Sequence, residues 1–124
     1  MVDHAAARSV REFGDIARAV VLKTVDINIT SATTTEIHSP SATKVFVVLS
    51  MHLVNDDASN AITLLFKSAS TVIGRETLVS KDRIDIQAGG LSIMRGRAID
   101  EDFEITSTGT GTAKGWVQIG EVAG

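Results

Sequence analysis

Hydrophobic positions along this chain change period once, near Val20. From Asp3 to Val21 the apolar residues Ala6, Val10, Phe13, Ala17 and Val21 recur at steps of four, three, four and four. Arg8, Arg11, Glu12, Asp15 and Arg18 fall mostly off that line, the pattern of one helix face. Asp3 suits a helix cap, and Gly14 weakens the middle by up to ~1 kcal/mol relative to alanine. The apolar line is thin, so this segment needs a surface to lie against or an assembly in which to order. The spacing predicts a helix or arm over 1–20.

Beyond Val20 the period becomes two. In "VLKTVDINIT", Val21, Val25, Ile27 and Ile29 alternate with Leu22, Thr24, Asp26, Asn28 and Thr30, which predicts a strand. "SATTTEIHSPSAT", with its Ser and Thr and the sole proline, Pro40, reads as a short edge strand followed by a loop. "KVFVVLSMHLV" is continuous and β-branched, the pattern of a central strand buried on both faces, with His52 on the face of Phe46, Val48, Ser50 and Val54. "NDDASN" is a turn, and "AITLLFKS" is a strand with Ile62, Leu64 and Phe66 on one face. "TVIGRETLV", "RIDIQA", "LSIMRGRAI", "FEITST" and "GWVQIGEV" follow as short strands between turn residues. Short strands at regular intervals predict an all-β fold. We expect an antiparallel, jelly-roll-like β-sandwich of about eight strands over 21–124, with the helix or arm over 1–20 preceding it.

A chain of 124 residues suits one domain, and 44 % hydrophobic with 22 % charged residues lies outside the disordered regime. Apolar runs are too short to span a bilayer as a helix, and the start lacks the pattern of a signal peptide, so no membrane partner is expected. The net charge of −3 with acids and bases interspersed argues against nucleic acid as a partner. Four Phe, one Trp and no Tyr leave few rings for stacking a sugar or base. No cysteine is present, which removes disulfides and thiolate chemistry.

Candidate chemistry then narrows quickly. "TSTGTGTAKGW" (Thr106 to Trp116) resembles a phosphate loop only superficially: Lys114 precedes Gly115, and a strand rather than a helix follows. It reads as a hairpin through a Gly-rich turn. His4, His38 and His52 lack zinc-ligand spacing. Ser50 and His52 lie two apart without a nucleophile elbow, so no catalytic residue is assigned. "NDDASN" fails the calcium-hand pattern, with Asn60 at the glycine position and Phe66 at the glutamate position. The acidic run Asp100–Glu104 suits a solvated turn or a cation-binding one. No cofactor or metal is expected, and the chain reads as a non-enzyme. Arg95 and Arg97 share a face of "LSIMRGRAI" and suit salt bridges within the fold or to a neighbouring subunit. With Val10, Phe13 and Ala17 they form the expected assembly contacts. Trp116, directly after Gly115, reads as a packing residue filling the sandwich end.

"LLFKSAST" (Leu64 to Thr71), "AGG" (Ala88 to Gly90) and "GWVQIGEV" (Gly115 to Val122) occur in that order. They resemble motifs of small β-sandwich virion proteins of tailed bacteriophages, over roughly Lys44 to Val122. Ala69 departs from the resemblance, standing where that family often has glycine, and the N-terminal segment lies outside the pattern. The resemblance implies a capsid decoration or cement protein located on the virion surface. Its partners would be the major capsid protein and further copies of itself, with a trimer favoured. A tail or fibre module that binds a host receptor or glycan is the alternative. A cupin-like enzyme would need a histidine–carboxylate cluster that the sequence does not contain.

Overall fold

The computed structural model describes residues 21–87 and 93–124. The predicted helix over 3–21 falls almost entirely outside them. The described chain forms strands β1 (Lys23–Ile29), β2 (Thr34–His38), β3 (Lys44–Val54), β4 (Ile62–Ser68), β5 (Thr71–Leu78), β6 (Arg83–Gln87), β7 (Met94–Arg95), β8 (Phe103–Gly109) and β9 (Ala113–Ala123). Every pairing is antiparallel. Sheet A has the order β1-β9-β3-β6, with β7 paired to β3 beside β6, and sheet B has the order β2-β8-β4-β5. Because β6 and β7 share one edge of β3, nine strands fill eight positions, in the interleaved order of a jelly roll. The expected antiparallel sandwich is the observed fold.

The core lies between the sheets and is built by period-two alternation. Ile27 and Ile29 of β1 and Ile62, Leu64 and Phe66 of β4 all point inward and are buried. Phe103 of β8 stacks on Phe46 of β3 at 5.0 Å between ring centroids and on Phe66 at 6.4 Å, tying the two sheets together. Offset stacking of this kind contributes about 0.5–1.5 kcal/mol per pair beyond burial of the rings.

"TTEIH" forms the short edge strand expected within "SATTTEIHSPSAT", β2, at the edge of sheet B. A bulge between Glu36 and His38 turns both Ile37 and His38 inward. The sequence reading fails at three places, each for a local reason. A second bulge, at Leu49, shifts the register of β3 against β9 between Val48 and Ser50. Phe46 and Val48 therefore point into the core before it, and Met51 and Leu53 after it. His52 consequently faces outward, not with Phe46 and Val48. The Gly-rich stretch is not a hairpin: β8 belongs to sheet B and β9 to sheet A, so Thr110–Thr112 carries the chain across the sandwich. Gly109 supports the crossing with φ +98, a conformation that L side chains rarely adopt. Finally, among the described residues of "LSIMRGRAI" the strand is the two-residue β7; Gly96 donates its N–H to Phe46 O at 3.0 Å, and Arg97 lies beyond the strand.

Candidate functional site

The bulge in β3 gives sheet A two unlike faces. Its inner face joins the core. Its outer face carries an apolar patch at one end, formed by Val45, Val47 and Leu49 of β3 and Val122 of β9. Val45 stands opposite Val122 in the ladder, and Val47 opposite Gly120, where no side chain intervenes. These four residues are only 3 %, 0 %, 8 % and 8 % exposed, respectively, although they point away from the core. Arg95 pairs with Val47 across the other side of β3 and is exposed, so it borders the patch.

Further along the same face the bulge brings out Ser50 and His52. The Ser50 hydroxyl donates to Gln118 Oε1 at 2.6 Å rather than to His52. The His52 ring stacks on Trp116 at 5.8 Å, and its Nδ1 stands 3.7 Å from Asp85 Oδ2. Trp116 therefore does not fill the sandwich end, as the sequence suggested; it is half-buried on the outer face. Gly115, before it, permits no turn. It lies in β9 between Ile27 and Leu53, where the backbones approach so closely that a Cβ would strike the His52 carbonyl oxygen.

Of the residues expected at an assembly contact, Val10, Phe13 and Ala17 lie outside the described residues. Arg95 joins the outer face of sheet A. Arg97 does not: its guanidinium reaches Glu101 at 3.0 Å and its N–H donates to Ser68 Oγ, at one end of the sandwich. The salt bridge expected of it is made within the fold.

The acidic run is likewise occupied by the chain itself. Asp100 accepts the Thr43 N–H at 2.8 Å, and Glu101 accepts from Ser68 at 2.6 Å. Those hydrogen bonds from Ser68, then Arg97, hold the Glu101 carboxyl below its ordinary value. Glu36 is pushed up by its hydrogen bond and charge repulsion with Asp102, with Glu104 directly across the ladder. Among the described residues no group of three or more His, Cys, Asp or Glu is placed to hold a metal.

Two polar contacts escaped the sequence reading. Asn55, fully buried, donates to the carbonyls of Asn60, Leu78 and Val79 and accepts from the N–H groups of Asp57 and Thr112. One amide thus joins three loops at the end of the sandwich. At the other end His38, 4 % exposed, meets Glu121 through Nε2 at 2.7 Å, while Glu121 also accepts the Ser41 N–H at 3.0 Å. A cleft of about 140 Å³ also opens between the sheet edges, lined by Met51, Phe66, Ile84, Ile86 and Met94. The chain matches no known protein family, no characterised protein and no solved structure.

Proposed function

We propose that this protein is a structural assembly module, a capsid decoration protein of a tailed-phage virion that works as a homo-oligomer, with a trimer favoured. The observation that carries the reading is the antiparallel β-sandwich itself, the fold of the small virion proteins whose motifs this chain resembles. The motifs at Leu64 to Thr71 and Gly115 to Val122 support the particle assignment by resemblance. The partners are the major capsid protein and other copies of this chain.

Light scattering of the full chain, free and with purified capsids, tests the oligomer, and co-sedimentation with those capsids tests attachment. A monomer in both conditions, or failure to sediment with capsids, overturns the reading. A second reading, a tail or fibre module for a receptor or glycan, is favoured by one feature. The Trp116 ring lies on an outer face, where a sugar could stack. Loss of binding to cells or glycans in Trp116→Ala, with folding retained, would select it.

A further inference from the structure

We propose that the apolar patch on sheet A is the docking surface for the chain's own first twenty residues, which lay the Ala6, Val10, Phe13 and Ala17 line across Val45, Val47, Leu49 and Val122. Three observations carry this. The patch residues are closed to solvent on the outside of a sheet, and no further buried or half-buried hydrophobic among the described residues joins them. The chain also enters in the right place. Leu22 donates its N–H to Ile119 O at 2.7 Å, and β1 begins opposite Ile119, so residue 21 emerges beside the stretch of β9 that carries Val122. From β1 across β9 to β3 is two strand spacings, about 10 Å.

The lengths also agree. In a helix the line from Ala6 to Ala17 spans about 17 Å. The patch runs from Val45 to Leu49 along β3, about 13 Å at strand rise. The thin apolar line that cannot order alone thereby meets a complementary thin apolar surface, and Arg8, Arg11 and Arg18 remain in water. The inference does not depend on the particle reading, since it concerns the isolated chain.

The chain has no cysteine, so Ser9→Cys places a single nitroxide on the segment in the full-length protein. With nitroxide and labelled methyl groups in the same chain, the methyls of Val45, Val47, Leu49 and Val122 should lose most of their signal. Those of Leu65 and Val72, on sheet B, should keep theirs. Unchanged methyl signals after reduction of the nitroxide establish that the fold is retained. Patch methyls that keep their signal overturn the proposal. Loss that appears only when nitroxide and methyls sit on different chains also overturns it, because the occupant is then a second copy.

Discussion

Ala69 and Asn55 show how much a single residue can decide here. Ala69 sits between β4 and β5 with φ +52, where a Cβ is disfavoured. It is also the position at which the phage-protein resemblance calls for glycine. Relief of left-handed strain is worth about 1–2 kcal/mol, and the extra freedom of glycine in the unfolded chain offsets roughly 0.4–1 of it. Ala69→Gly should therefore raise stability slightly, by about 0–1.5 kcal/mol in urea unfolding; a fall would show that the Ala69 methyl packs favourably. Asn55→Ala has the opposite sign. It leaves three loop carbonyls and two N–H groups short of a partner, and should cost roughly 2–4 kcal/mol, read as a lower denaturant midpoint at unchanged slope. For Trp116→Ala the half-buried position implies about 1–2 kcal/mol, below the ~3–5 of a ring enclosed in a core. Its fluorescence should be partly open to a soluble quencher.

Strand limits were legible in the sequence, and the facing of residues beyond a bulge was not. β3 and β4 match their sequence limits to within a residue because β-branched runs leave no other periodicity. The facing of His52 was hidden by one extra residue at Leu49, which no local pattern announces. The docking patch could not be read for the same reason: without the bulge, one face of β3 looks like another. Sheet pairing was also out of reach, because Gly-rich loops serve hairpins and crossings alike. At the element scale, β2 is held to β9 by His38 and Glu121. Burial alone would raise the Glu121 carboxyl, but the Ser41 N–H and His38 outweigh it, leaving it below its ordinary 4.5. A depressed carboxylate stabilises the fold above its unfolded pKa, and that contribution disappears as pH falls through the folded one. Asp56, Asp57 and Glu101 shift in the same direction, and Glu36 in the opposite one. The melting temperature should therefore fall as pH drops below about 4.5. Glu121→Gln should be less stable at neutral pH and lose less on acidification; an unchanged pH slope would remove Glu121 from the account.

For the whole molecule, the change of period near Val20 predicts a boundary between arm and sandwich. Removing Met1 to Arg18 should leave sheets A and B folded, with β-type circular dichroism and cooperative unfolding, and on the proposed function it should weaken binding to capsids. Unfolding of the truncated chain, or undiminished binding, would refute that division. The strand order has a further consequence, for the time at which the protein can form. β8 and β9 occupy inner positions of their sheets, β9 between β1 and β3 and β8 between β2 and β4. They are also the last two strands of this sandwich in chain order, and so the last of its strands to leave the ribosome. Until they appear, β1 and β2 have no neighbour to pair with, and β3 and β4 each lack one of theirs. Contacts spanning most of the chain, such as Lys23 with Ile119, form slowly. Synthesis thus leaves a strand-rich nascent chain, β1 and β2 unpaired, waiting for β8 and β9, and a product released before Ala113 would be a substrate for chaperones and proteases rather than a smaller sandwich.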